Sequence, residues 1–422
     1  MWAESPFLHR ITLSGKQYFF HSLTLELYDS PTLCPDPSAE TELLNRYRQD
    51  AGELSGIVMT TLFLTTRCPR KCSYCFLRGV PEMDMTTAEV DLAMDITGKG
   101  PADILLYGGE PLIRQDLVEH VARRVRKKEA DVNLILATGG HPVDESLVKL
   151  LASLDTFIIV SMDGPPSLND RVRPLKDSSS FAVAEKTFHS FRAAGCRVGI
   201  SVTLTKPGIK NARRDFLWLM DRFQPDDMGL NPWLHPLEMG TPNPYQVGGE
   251  EAFQAVTECM EEAISAGMYI EQLARRVRPF VNRTPRLKDC ASSGGRLVVM
   301  PGGTAGTCDC MTCRGLHGVP LIDTRGISTL LDSFRPLSPV NFTQCLHCPA
   351  LCICGGGCRY DGFLMTGDIR GSWQERCDFE RRFLRWMIEK TAEQGRESLI
   401  PNGGFDRKAM PMPVGTMLGE RS

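Results

Sequence analysis

Between residue 57 and about residue 235, short apolar runs alternate with longer stretches whose apolar positions recur at helical spacing. The runs at 57–64, 104–107, 133–137, 157–161, 198–203 and 228–232 predict strands. The stretches at 87–97, 114–128, 144–153, 182–194 and 212–222 predict amphipathic helices between them. Strand-then-helix units in this order predict a parallel sheet, right-handed crossovers and helices on its faces. Six units fall short of a closed barrel. The expected fold is therefore α/β, a partial (β/α)6 barrel open on one side. Ligands of such sheets sit at the carboxyl ends of the strands.

Outside this core the pattern is more broken. Residues 1–56 hold two β-like runs, at 10–13 and 18–27, and a helix at 38–49 with Asp36 and Glu40 at its positive end. This segment reads as a small β-rich cap, or as an exposed strand edge that a peptide could extend. Residues 236–289 predict a helical bridge, with helices at 250–268 and 269–277, and 290–377 is rich in cysteine. A charged amphipathic helix is expected at 378–394, and the Pro-, Gly- and Met-rich stretch 395–422 reads as a mobile tail. Arg275, Arg276 and Arg278, like Arg123, Arg124 and Arg126, read as solvated helix ends, the former group alternatively as a patch for an acidic peptide.

Composition narrows the partners. A chain of 422 residues has room for a large core and further modules, and 42% hydrophobic with 23% charged residues is ordinary for a globular protein. A formal charge of -3 gives no electrostatic reason for nucleic acid or an anionic membrane as partner. The absence of a secretory pattern, and of any run of about eighteen apolar residues, predicts a cytoplasmic protein. Sixteen cysteines are many for such a compartment, where structural disulfides are rare. Their clustering argues for metal, while the isolated Cys34, Cys196 and Cys259 read as small buried hydrophobes.

Cys68-Pro-Arg-Lys-Cys72-Ser-Tyr-Cys75 follows the first strand of the core. Three thiols on one short loop can converge on a [4Fe–4S] cubane, supplying all but one of its usual cysteine ligands and leaving one iron open to a small molecule. Arg67, Arg70 and Lys71 offer positive charge beside the thiolates, or read as solvated side chains. After the second strand, Gly108-Gly109-Glu110-Pro111 permits close backbone approach and offers a carboxylate acceptor. Ser161 ends the fourth strand, within Ser161-Met-Asp163-Gly164-Pro165, and with Arg173 it suits a ribose or a carboxylate. Taken alone, those last residues also describe a capped turn with a salt bridge.

Together these residues resemble the radical S-adenosylmethionine (SAM) superfamily, whose signature is a CxxxCxxC loop after the first strand of a partial barrel, here Cys68, Cys72 and Cys75. The resemblance implies that SAM chelates the open iron, with Gly108, Gly109, Glu110 and Pro111 around its amino group. It further implies that backbone at Tyr74 and Leu234 meets the adenine, and that Ser161 and Arg173 contact the ribose and carboxylate. Farther along, Cys290, Cys308, Cys345, Cys348, Cys354, Cys358 and Cys377 resemble the SPASM extension of that superfamily. This implies two auxiliary [4Fe–4S] clusters and three in all. Family ligation would give one of them Cys345, Cys348, Cys354 and Cys377, and the other Cys290, Cys308 and Cys358. Its fourth ligand stays open between Cys310, Cys313 and substrate, with Cys352 a further spare thiol. Zinc in a tetrahedral S4 site, for which Cys310 with Cys313 and Cys345 with Cys348 have suitable spacing, is the alternative reading. Asp309 matches a proton acceptor of sulfatase-maturating relatives, or serves as a cap.

The function implied is that of an oxidoreductase-type radical SAM enzyme acting on a ribosomally made precursor peptide or protein. It would form a thioether or carbon–carbon cross-link, fed by a flavodoxin- or ferredoxin-type electron donor. Two other readings stand beside it: an anaerobic sulfatase-maturating enzyme that makes formylglycine, and a non-catalytic iron–sulfur electron carrier or redox sensor. The Gly-Gly-Glu-Pro turn and Ser161 speak against the carrier, which has no use for a SAM pocket.

Overall fold

The alternation of runs and helices folds as a parallel sheet with its helices packed alongside. The computed structural model describes residues 5–33, 35–53, 56–98, 102–127, 132–268, 270–271 and 273–401. An antiparallel sheet of β1 (Leu8–Leu13), β2 (Lys16–His21) and β3 (Glu26–Tyr28) comes first. The run expected over 18–27 is broken into two strands by a tight turn in which Leu25 takes φ 59°. The helix Pro37–Gly52 follows, capped by the Asp36 carboxylate.

The core strands are β4 (Met59–Thr65), β5 (Ala102–Gly108), β6 (Val132–Thr138), β7 (Phe157–Ser161), β8 (Arg197–Thr203) and β9 (Met228–Asn231), each parallel to the next. The helices between them include Thr87–Thr97, Gln115–Lys127, Glu145–Ala152, Ser180–Ala193 and Ala212–Phe223, as their spacing predicts. Leu117, Val118, Val121 and Ala122 form the buried stripe of one such helix.

The sheet does not stop at β4. The strand β10 (Arg296–Met300) pairs parallel to it, and β11 (Thr304–Gly306) and β12 (Val319–Pro320) continue antiparallel. The result is nine strands in the order β12-β11-β10-β4-β5-β6-β7-β8-β9. Every residue of β4 is buried, so an exposed edge there would leave an apolar strand unpaired. Leu297, Val298 and Val299, all wholly buried, cover it. The cysteine-rich segment therefore shares the sheet with the barrel.

The amino-terminal cap rests on the carboxyl-terminal half. Phe20 meets Phe280 at 6.1 Å between ring centres, Arg396 donates to the Leu25 and Phe280 carbonyls, and Arg48 donates to that of Val340. The bridge holds the helix Gly249–Ala266, then a π-helical turn Leu273–Val277 and the short helix Arg278–Asn282. The last long helix is Gln374–Gln394. Cys196 and Cys259 are buried in the core as expected, whereas Cys34 and the tail beyond residue 401 lie outside the described residues. Among the described residues no helix is long and apolar enough to cross a membrane.

Candidate active site

The end of β4 reaches the cysteine loop through a bulge, where its register with β5 shifts between Phe63 and Thr65. Bulges of this kind re-aim a chain beside a site. Gly108 takes φ +134°, and a Cβ there would lie 2.2 Å from the Thr65 carbonyl oxygen. At Gly109 a Cβ would lie 2.2 Å from the Arg67 carbonyl oxygen. The space is used by backbone: the Gly109 amide donates to Thr65 at 2.8 Å and the Glu110 amide to Arg67 at 2.9 Å. Lys71 and Ser73 donate in turn to the Pro174 and Val172 carbonyls, fastening the loop from its other side.

Glu110 lines the cavity, yet both its oxygens are bonded within the protein. Oε1 accepts from Thr138 Oγ1 at 2.6 Å and the Leu112 amide at 3.2 Å, and Oε2 from the Gly139 amide at 2.9 Å and Arg70 Nη1 at 3.3 Å. What this turn presents to a ligand is backbone, and Pro111 opens a 3-10 turn behind it. Arg70, which also donates to the Gly140 carbonyl, is buried rather than solvated. It packs closely over Gly139, where a Cβ would lie 3.1 Å from the guanidinium and force it to shift. Arg67 pairs instead with Asp84 near the surface.

Arg173 is buried and grips Asp163 through Nε at 2.8 Å and Nη2 at 3.3 Å. Asp163 also accepts from the Thr203 amide at 2.8 Å and from the Tyr74 hydroxyl. The Arg173 guanidinium lies 5.4 Å from the centre of the Tyr74 ring. Burial opposes the charge on Arg173, and its neighbours, Asp163 foremost, more than restore it. Asp163 thus locks the loop residue Tyr74 and the cation Arg173 to β8.

Above these strand ends opens a cavity of about 510 Å³. Cys68, Cys72 and Cys75 line it together with Tyr74, Gly108, Gly109, Glu110, Ser161, Arg173 and Leu234. Burial pushes the Cys68 thiol up to about 11 and raises that of Cys72 as well. Such thiols ionise readily only when a cation arrives.

A second cavity, of about 360 Å³, lies beside the first and shares Asn231, Trp233 and His235 with it. Cys290, Cys308, Cys310, Cys345, Cys348, Cys354, Cys358 and Cys377 all line it, whereas Cys313 and Cys352 do not. Cys352 is wholly buried in the core, and the Cys313 thiol sits against the Cys310 carbonyl. The Cys308 and Cys310 thiols are within hydrogen-bond reach of each other.

Asp309 Oδ2 pairs with Arg296 at 2.7 Å, while its Oδ1 is buried and has no partner among the described residues. Burial pushes this carboxyl up, with Arg296 and His235 pulling the other way. Arg275 and Arg276 also line this cavity and are neither solvated nor free for an acidic peptide. Arg276 Nε donates to Glu380 at 2.9 Å, and Arg275 pairs with Glu271 at 2.9 Å and Asp289 at 3.2 Å. Arg278 is likewise buried.

For Asp163, His235 and Asp361 the sequence assigns no role, and for Arg70 only charge beside the thiolates or a solvated side chain. Asp163 stands inside the quoted Ser161 turn, and Arg70 inside the cysteine loop. Their positions flagged them, but nothing local revealed their partners. His235 and its partner Asp361 are far apart in sequence and meet at 2.7 Å only through the fold.

Residues 62–217 match the family described as the radical SAM superfamily. Over 153 residues the chain is 29% identical to Fe-coproporphyrin III synthase of Methanosarcina barkeri, a match covering 35% of this chain and 37% of that protein. The chain therefore spans well under two thirds of that relative. Among solved structures, native anSMEcpe with bound AdoMet and Cp18Cys peptide aligns with a TM-score of 0.67 at 16% identity, over 81% of this chain and all of that one. Streptococcus suis SuiB bound to precursor peptide SuiA aligns with a TM-score of 0.52 at 14% identity, over 84% of this chain and 95% of that one.

Proposed function

We propose, on the match of residues 62–217 to the radical SAM superfamily, that the chain is an enzyme of that superfamily that modifies a ribosomally made peptide by forming a thioether or carbon–carbon cross-link. The observation that carries this reading is the pair of adjoining cavities, one with the Cys68 loop and glycine cradle, the other walled by cysteines. Both groups expected in the first cavity fit the residues present. Three thiols face it from one loop, and the Gly108–Gly109 backbone lies where side chains would not fit. Bound there, SAM and a [4Fe–4S] cluster would supply radical chemistry driven by one-electron reduction.

The protein's part is holding and orienting. Cys68, Cys72 and Cys75 would ligate the cluster. The Gly108 to Pro111 turn would bound the amino group, with backbone at Tyr74 and Leu234 against the adenine. Ser161 and Arg173 would face the ribose and carboxylate, Arg173 being held in place by Asp163. In the second cavity, Cys345, Cys348, Cys354 and Cys377 would hold one auxiliary cluster, and Cys290, Cys308 and Cys358 another. Cys310, whose thiol interacts with that of Cys308 and lines the same cavity, would complete that second set. The free Oδ1 of Asp309 would take a proton from the substrate, since burial raises its affinity for one. Likeness in fold to two proteins whose structures hold peptides supports a peptide substrate.

The test is to incubate anaerobically reconstituted enzyme with SAM, a strong reductant and the peptides encoded by neighbouring short reading frames, then follow deoxyadenosine and peptide mass. A mass change in one peptide is expected. Deoxyadenosine with every peptide unaltered counts against the reading. Asp309 and the likeness to anSMEcpe also favour a second reading, oxidation of Cys or Ser to formylglycine. A sulfatase peptide that gains no aldehyde excludes it.

A further inference from the structure

The wall of the first cavity changes character along the sheet. The ends of β7, β8 and β9 bring it the polar side chains of Ser161, Ser201, Thr203 and Asn231. The chain just after Cys75 and the end of β5 bring it apolar ones, Phe76, Leu77, Val80 and Tyr107. Beneath these, Phe63, Leu77, Val298 and Met300 form a buried cluster, so that β10 supplies part of the floor. Phe76, Val80 and Tyr107 pack on that cluster and stay half-buried themselves. The Phe63 ring stands edge-on to Phe76 at 6.4 Å and to Tyr107 at 5.3 Å between centres. The Phe76 and Tyr107 rings lie 6.2 Å apart and within 22° of parallel.

This apolar wall is held in place by backbone. Arg314 donates to the Phe76 carbonyl at 3.2 Å, and the Val80 amide donates to that of Leu77 at 3.0 Å. The charged members of the same segment, Arg78 and Glu82, are exposed, and Arg78 turns back to the Ser73 carbonyl at 3.2 Å. Water against half-buried rings is released when an apolar group covers them. A charged side chain would shed its hydration there, and the buried charges of this cavity are already closed on one another, Arg173 on Asp163 and Arg70 on Glu110. We propose, resting on the peptide reading above, that Phe76, Val80 and Tyr107 form a subsite for an apolar side chain of the substrate. The residue presented to the SAM cavity is then aliphatic or aromatic, and charged residues are rejected.

The test uses full-length protein, reconstituted anaerobically and given SAM without reductant, so that nothing is cleaved. The N-acetyl amides of leucine, phenylalanine, lysine and aspartate are titrated in, and binding is read by saturation-transfer nuclear magnetic resonance. The leucine and phenylalanine amides are expected to bind at least roughly tenfold more tightly than the two charged ones. Phe76→Ala and Tyr107→Ala should weaken that binding by roughly two- to tenfold, and Val80→Asp should abolish the preference. Equal binding of all the amides, tighter binding of the lysine amide, or an apolar preference that survives every variant overturns the proposal. If the alanine variants do not fold, Val80→Asp, at a half-buried loop position, decides by the same criterion. Should the subsite behave as expected while no peptide changes mass, the proposed function fails and the subsite stands. A modified peptide without any apolar preference among the amides sinks the subsite alone.

Discussion

Replacing Arg70 and Glu110 by leucine, singly and together, removes the buried ion pair that seats the cysteine loop on the second and third strands of the parallel sheet. The two side chains keep 3% and 1% of their exposure and approach to 3.3 Å. At an effective dielectric of about 20, two charges at that distance attract by ~5 kcal/mol before desolvation is counted. Losing one member of a buried pair costs about 3–5 kcal/mol, because the other charge is left uncompensated. The two single variants should differ. R70L leaves Glu110 with the Thr138 hydroxyl and the Leu112 and Gly139 amides as donors, so its loss belongs near ~3 kcal/mol. E110L leaves the Arg70 side chain, among the described residues, with only the Gly140 carbonyl as a hydrogen-bond partner and strips three donors of their acceptor, which puts it near ~5 kcal/mol. The double variant buries no charge and should lose at least ~2 kcal/mol less than the sum of the singles. Urea denaturation of the iron-free protein, followed by circular dichroism, measures all three. Single losses below ~1 kcal/mol, or additivity within ~0.5 kcal/mol, would refute the claim that this pair anchors the loop.

Three further outcomes follow from the same geometry. Gly109→Ala forces a Cβ to within 2.2 Å of the Arg67 carbonyl oxygen, so stability should drop by ~1–3 kcal/mol and SAM affinity by on the order of tenfold; calorimetric binding equal to the parent's contradicts this. Asp309→Asn replaces the proton-accepting carboxylate by a non-basic amide and should lower peptide product formed per deoxyadenosine by roughly 10²-fold or more, with an unchanged ratio excluding the assigned role. His9 is held neutral by burial, with His21 and His347 adding repulsion, and its pKa falls to about 4. The unfolded chain therefore binds that proton first, so stability should be full above about pH 6.5 and decline as the pH falls toward 4. Melting temperatures across that window should flatten in His9→Gln, and equal slopes refute it.

What could be read from the sequence, and what could not, divides along the range of the interactions. The parallel strands and their helices are written in periodicities a few residues long, and β4 to β9 fall close to where the runs put them. The Cys68 loop was legible because all three thiols lie within eight residues of chain. The strand β10 escaped because Arg-Leu-Val-Val-Met sits inside a cysteine-rich segment, where the spacing of sulfur drew more notice than an apolar run. Arg275, Arg276 and Arg278 look in sequence like any basic helix end. Arg276 pairs with Glu380, 104 residues farther along, and no local pattern announces such a partner. Glu110 shows the same limit from the other side: its place in the cavity wall was readable, while the donors that occupy its oxygens come from other turns.

Arg359 connects the charges of the carboxyl-terminal module to its cysteines. It keeps 3% of its exposure and forms no ion pair among the described residues. Its guanidinium donates to the Gly356, Gly357, Ile369 and Gly371 carbonyls and lies 4.7 Å from the centre of the Phe342 ring. Carbonyl dipoles and a ring face soften the burial of a cation but do not neutralise it. Burial lowers the pKa of Arg359, and the nearby groups that push back include the sulfurs of Cys358, Cys345 and Cys354. Those thiols are themselves held neutral by burial while no cation binds them. The two unfavourable burials cancel when a metal centre draws the thiols into anionic form beside the guanidinium. Arg359 directly follows Cys358 in the chain, so the cavity's compensating charge travels with one of the proposed ligands. The arginines around this cavity and its cysteines are on this argument a single feature, a site built to hold negative sulfur.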